Sequence, residues 1–141
     1  NLESGLPYSI TDTRDQSLSG IGAGVRADLI GNPALADGRP KSEWLNRYFE
    51  TSAFRLPVEG TFGTAGRNIL RGPGFFNVDA SLIKEFAFAE QRAIQFRAEF
   101  FNLFNRANFG TPTNTLNSPT FGRILSAGSP RILQFGLKLA F

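Results

Sequence analysis

The last eleven residues, Arg131–Phe141, constrain this chain more than any other stretch. From Leu133 the odd positions are apolar (Leu133, Phe135, Leu137, Leu139, Phe141), and the even ones are polar or small (Gln134, Gly136, Lys138, Ala140). Alternation over nine residues is the period of a β-strand, whose side chains point to opposite faces in turn. One face is entirely large and apolar, while the other carries Gln134 and Lys138 between two small residues. A membrane β-barrel asks this of its strands, apolar toward lipid and polar toward the lumen. An edge strand of a soluble β-domain is the competing reading.

Two further segments alternate. In Phe75–Phe88 the even positions Phe76, Val78, Ala80, Leu82, Phe86 and Phe88 oppose Asn77, Asp79, Ser81 and Glu85, with Ile83 as an exception. Lys84 interrupts the apolar face, and a place near a membrane rim, where its ammonium can snorkel to water, is expected for it. In Arg92–Phe104 the set Ile94, Phe96, Ala98 and Phe100 opposes Gln95, Arg97 and Glu99. That segment also admits a helix. Arg92, Gln95, Glu99, Asn102 and Arg106 recur at three- and four-residue spacing among helix formers. Arg97 on the apolar side of such a helix, and the hairpin with the preceding strand, favour the strand. A further strand is expected near 2–10, broken by Gly5 and Pro7.

Between these lie the connections. Thr11–Gly74 holds most of the glycine and proline and reads as one long connection, improbable inside a compact soluble domain but ordinary as the external loop of a barrel. Within it, Ser42–Phe49 reads as a short helix with Ser42 as N-cap and Trp44, Leu45, Tyr48 and Phe49 on one face. Those aromatics pack onto the loop or the barrel rim; the alternative is a ligand-stacking patch, with Trp44 and Tyr48 as candidate extracellular ligand contacts. Ala87–Gln91 is short and Asn105–Pro130 is long again. Long, short, long is the order of external loops and periplasmic turns in an outer-membrane barrel. It gathers Phe86, Phe88 and Phe141 at one interface and Phe75, Phe76, Phe101 and Phe104 at the other, as aromatic girdles.

The chain has 141 residues and no run of eighteen apolar ones, so no transmembrane helix is expected, which leaves a barrel open. Cys and His are absent, which removes disulfides, thiol chemistry, the commonest metal ligand and the usual neutral-pH general base. The net charge of +3 is scattered and forms no nucleic-acid-binding cluster. Gly20-Ile21-Gly22-Ala23-Gly24 lacks the spacing and context of a nucleotide loop. Asp79, Glu85 and Glu99 are better read as lumen charges offset by Arg97 and Lys138 than as a hydrolytic carboxylate pair. No catalytic residue, cofactor or metal site is expected, and the chain is not expected to be an enzyme. No signal peptide is visible at Asn1–Ser4, so the chain is expected to be the C-terminal piece of a longer outer-membrane protein.

The last strand resembles the C-terminal β-signal of bacterial outer-membrane proteins, with Gln134, Gly136, Leu139 and Phe141 at its four specified positions. Several stretches together resemble the C-terminal end of TonB-dependent outer-membrane receptors, the Oar-like group in particular. They are Gly5–Ile10, Gly60–Gly63, Gly66–Asp79, Arg97–Asn105 and Pro130–Phe135. The resemblance implies an all-β antiparallel transmembrane barrel of which residues 1–141 are the C-terminal part, with strands near 2–10, 75–88, 92–104 and 131–141. It implies uptake of an unidentified substrate and a place in the cell outer membrane. The implied partners are membrane lipid, the barrel-assembly machinery through the C-terminal strand, and the TonB complex through parts not in this chain. A smaller porin or adhesin barrel and a soluble β-rich binding module are the alternatives.

Overall fold

A computed structural model describes residues 1–20, 24–89 and 92–140. In chain order the elements are β1 (Leu2–Glu3), β2 (Pro7–Tyr8), β3 (Thr11–Asp12), β4 (Val25–Arg26), β5 (Asp28–Leu29), α1 (Lys41–Asn46), a 3₁₀ turn (Thr51–Ala53), β6 (Phe54–Arg55), β7 (Leu70–Arg71), β8 (Phe75–Phe76), β9 (Ala80–Ala89), β10 (Arg92–Phe101) and β11 (Ile132–Ala140). They fall into two units. The first holds 1–3, 74–108 and 127–141, and the second holds 4–73 and 109–126.

The first unit is an antiparallel sheet in the order β11-β10-β9, with β1 paired to β8 beside the start of the hairpin's chain. Its register places Ile94, Phe96, Ala98 and Phe100 opposite Leu139, Leu137, Phe135 and Leu133 on one side and Phe86, Lys84, Leu82 and Ala80 on the other. Residues directly opposite each other share a face, so the three alternating segments combine their apolar sets on one surface. Arg92–Phe101 is a strand, which settles the choice between strand and helix. Among the described residues the sheet has three strands and does not close.

Three strand limits differ from expectation. The segment expected over 75–88 divides into β8 and β9, because at 77–79 the backbone turns to other partners. There the Asp79 carboxylate accepts the Asn102 N–H (2.9 Å), and the Val78 carbonyl accepts the Leu103 N–H (2.8 Å). Strand β10 ends at Phe101 rather than Phe104, because Asn102 and Asn105 take left-handed φ values of 51° and 50° that a strand cannot continue through. The strand near 2–10 is only the short pieces β1 and β2.

The second unit corrects the reading of 11–74 as a plain connection. It has a core of its own: Ile10, Ala27, Phe49, Ala53, Phe54, Ala65 and Tyr8 are buried, with Tyr48, Ile69, Leu70, Leu116 and Phe121 against them. Edge-to-face ring pairs, Phe49–Phe54 at 5.7 Å and Phe49–Phe121 at 5.2 Å, fill its centre. Strand pairs β2–β7, β3–β4 and β5–β6 and a parallel bridge between Thr11 and Thr115 frame it. Helix α1 begins two residues earlier than Ser42 as N-cap requires. Pro40 is its N-cap, extended at ψ 142° and without a side-chain acceptor, so Ser42 is the second helical residue. The helix is only six residues long because Arg47 leaves helical geometry at φ −147°.

Candidate functional site

The apolar face of the β9–β11 sheet is the most demanding feature of the molecule. None of the described residues covers it: Leu137 is 75% exposed, Phe135 63% and Leu82 60%. Phe86, Phe88, Leu133 and Leu139 are exposed beside them. Phe96 stacks on Phe135 at 6.2 Å, a diagonal cross-strand pair, and Phe100 meets the same ring edge-on at 6.5 Å. Covering a large side chain of this kind is worth about 1.5–3 kcal/mol. Seven half-covered ones therefore hold back roughly 10 kcal/mol, comparable with the entire stability of an ordinary domain. A surface like this is built for an apolar cover.

Lys84 sits on that face, and its position corrects the expectation that it lies near one end. It is the fifth of the ten residues of β9, in register with Phe96, which in turn faces Leu137. Its ammonium lies 5.6 Å from the centroid of the Phe86 ring, directed along the strand toward the hairpin. At that end the register shifts between Arg92 and Ala93, leaving Phe88 without a Cα partner.

The opposite face is polar. Gln95 lies between Glu85 and Lys138, Arg97 between Ile83 and Gly136, and Glu99 between Ser81 and Gln134. Arg97 and Glu99, two apart on one strand and so on the same face, approach to 3.7 Å. Gly136 leaves room beside Arg97: a Cβ there would stand 3.9 Å from the arginine Cβ, in ordinary contact. Of the residues of the β-signal resemblance, Gln134 and Gly136 thus lie on the polar face and Leu139 on the apolar one. Phe141 lies outside the described residues, as do Ile21–Ala23 and Glu90–Gln91.

At the end of the sheet away from the hairpin, a set of asparagines ties the departing chain together, and the sequence reading did not single it out. Asn102, buried, donates from Nδ2 to the carbonyls of Arg106 (3.0 Å) and Ser129 (3.1 Å) and accepts the Arg106 N–H at Oδ1 (3.0 Å). Asn105 accepts the Arg131 N–H (3.0 Å), which sets the entry to β11. Asn108, also buried, brackets Phe76 by accepting its N–H and donating to its carbonyl, both at 2.9 Å. The Asn102 N–H and the Asn77 amide hold the Asp79 carboxyl below its ordinary range. The repeated asparagine spacing in Asn102-Leu103-Phe104-Asn105-Arg106-Ala107-Asn108 was the available signal.

In the second unit, Trp44 and Tyr48 come together as expected. Their rings meet at 5.0 Å, and Trp44 meets Phe109 at 5.4 Å. The Lys41 ammonium caps Phe109 at 4.9 Å. They line a cleft of about 270 Å³ with Pro33, Asp37, Arg39 and Leu70. Arg39 holds its wall by donating to the carbonyls of Ala36 (3.1 Å), Arg47 (2.7 Å) and Tyr48 (3.3 Å). The Tyr48 hydroxyl donates to the Arg71 carbonyl (3.0 Å). Both aromatics are half-buried and serve the packing of this unit. Nearby, Arg47 and Ser52 bind the Glu50 carboxylate and hold its pKa down at about 2.

Compared with known proteins, residues 1–134 match a family model described as an outer membrane beta barrel domain. No curated protein matches the chain. No solved structure matches it. The family match covers the second unit and the first unit up to residue 134, and locates the protein in the outer membrane.

Proposed function

We propose, from the premise that the chain belongs to the outer membrane beta barrel domain family, that it forms strands and an external loop unit of a TonB-dependent receptor taking up a substrate across the outer membrane. The observation that carries the reading is the division of labour within the chain. A sheet with one face apolar except for Lys84 and one charged face is joined to long connections that fold around a core of their own. In this reading β9, β10 and β11 cross the membrane, the face of Phe96 and Leu137 meets lipid, and the face of Arg97 and Lys138 meets the interior. The ten residues of β9, tilted about 40°, span close to the 25 Å apolar band of such barrels. The resemblance of Gly66–Asp79 and Arg97–Asn105 to receptor C-termini supports the finer assignment. Gln134, Gly136, Leu139 and Phe141 would be read by the barrel-assembly machinery. The TonB complex would act through a plug and a contact segment not recognisable in these 141 residues. Trp44 and Tyr48 are the external side chains proposed to meet substrate. No catalytic role is proposed.

Planar-bilayer conductance of the full-length protein tests this reading. A plugged receptor is silent until the plug is displaced by denaturant or by force through TonB. A steady open channel in the resting protein would instead support the porin reading. A protein that stays in solution without detergent would support the soluble module.

A further inference from the structure

Lys84 is the one cation on the apolar face among the described residues. Among the described residues that face carries no carboxylate: its other members are Ala80, Leu82 and Phe86 on β9, alternate residues of β10 from Ile94 to Phe100 (Ile94, Phe96, Ala98, Phe100) and alternate residues of β11 from Leu133 to Leu139 (Leu133, Phe135, Leu137, Leu139). The nearest acidic side chain in sequence, Glu85, belongs to the opposite face. The lysine has no ion-pair partner within 4 Å among the described residues, and the aromatic ring of Phe86 is its neighbour. An unpaired ammonium in apolar surroundings calls for an anion delivered from outside the chain.

Depth decides which anion. This step rests on the proposed membrane-spanning role of β9. Lys84 is five residues from Ala89, which at about 3.3 Å per residue and a tilt near 40° places its Cα about 13 Å above the hairpin end, close to mid-band. Its four-carbon stem runs toward Phe86 and so carries the ammonium to a shallower level on the hairpin side. The stem spans about 6 Å at most, so the ammonium stays about 7 Å inside the hairpin end and meets a phosphate drawn several ångströms below the polar boundary of the hairpin-side leaflet. Below and beside it the rings of Phe86 and Phe88 stand exposed, and Leu82, Phe96 and Leu137 offer a track for acyl chains.

We infer that Lys84 is a docking point for the phosphate of an anionic glycerophospholipid of the hairpin-side leaflet, whose acyl chains lie along Leu82, Phe96 and Leu137. The ammonium supplies the charge, Phe86 holds it in place, and the apolar track excludes water from the pair.

The test is lipid retention by the full-length protein. Wild type, Lys84→Leu and Lys84→Arg are equilibrated in mixed detergent micelles with equal phosphatidylglycerol and phosphatidylcholine. They are then repurified, and the bound lipid is measured by mass spectrometry. The wild type is expected to enrich phosphatidylglycerol about fivefold, the contribution of one lysine near an anionic lipid surface. Lys84→Arg should keep the enrichment and Lys84→Leu should lose it. Free glycerol phosphate at the same concentration should not compete, because it lacks the acyl chains. Equal retention of both lipids by the wild type, or unchanged enrichment in Lys84→Leu, overturns the inference. Competition by glycerol phosphate overturns the acyl-track part and leaves a plain anion site. Heat-modifiable migration of the same samples tests the barrel separately: a heat-modifiable protein without lipid preference refutes the inference and leaves the barrel reading standing.

Discussion

Replacing Asn102 tests whether the loop ends of the sheet are held by side-chain amides. Asn102→Ala removes two donated bonds and one accepted bond, all between 3.0 and 3.1 Å. Each such bond contributes about 0.5–1.5 kcal/mol net, and a buried group left unpaired costs about 1–3 kcal/mol. Arg106 and Ser129, which carry the orphaned backbone groups, are exposed, so water replaces part of the loss. The backbone adds its own term. At φ 51° asparagine is tolerated where a Cβ-bearing residue without a local amide is strained by about 1 kcal/mol. The total for Asn102→Ala is about 3 kcal/mol, while Asn102→Gly, free of the strain, should cost about 1 kcal/mol less. Urea unfolding of the full-length protein in vesicles gives both numbers. A loss under about 0.5 kcal/mol for Asn102→Ala, the range of an unremarkable surface change, would refute the clamp. Equal losses for Ala and Gly would refute the backbone term.

Gly63→Ala should open the loop unit while sparing the sheet, because a Cβ there overlaps the backbone carbonyls of Arg26 and Ala27, which cannot swing aside; limited proteolysis should nick the variant between residues 11 and 73 and leave β9–β11 intact. Glu50 is held at about 2, against 4.5 when unfolded, by Arg47 and Ser52. Its contribution to the loop unit is therefore present above pH 4.5 and lost as pH falls through 2, and Glu50→Gln should flatten the proteolysis-against-pH curve in that window. Tyr8→Phe should leave the loop unit as stable or up to about 1 kcal/mol more stable, since the buried Tyr8 hydroxyl has no hydrogen-bond partner among the described residues; thermal unfolding followed by the same cleavage checks it.

The sheet was legible in the sequence because each strand carries one apolar face and one polar face. Ile94–Phe100 and Leu133–Leu139 therefore carry an uninterrupted period of two, and the pairing needed only that they meet in register. Its limits were less legible. Asp79 and Asn102 end strands through side-chain bonds to residues more than twenty positions away, and no local pattern announces that. The loop unit was missed for a related reason. Its core draws Ile10, Ala27, Phe49, Phe54 and Phe121 from separate segments, each contributing one or two side chains and none long enough to show a period. Its glycines, taken as marks of a long connection, include Gly63, where a Cβ would overlap the backbone carbonyls of Arg26 and Ala27. The aromatic pair Trp44 and Tyr48 was visible because the two lie four residues apart, Trp44 on α1 and Tyr48 just past its end. The helix start was displaced because Pro40 occupies the cap position without any side-chain bond. Lys84 was expected near a rim because only its distance from the turn was in view, and the register with Phe96 and Leu137 moves it to mid-strand.

In the proposed orientation the Phe135–Leu137–Leu139 side of β11 faces lipid and the Gln134–Lys138 side does not. Single bimane labels on cysteines introduced at 134, 135, 137, 138 and 139 of the full-length protein, in vesicles containing brominated phospholipid, read this directly. Strong quenching at 135, 137 and 139 with weak quenching at 134 and 138 is the expected result. Uniform quenching, or the reverse alternation, would contradict the account.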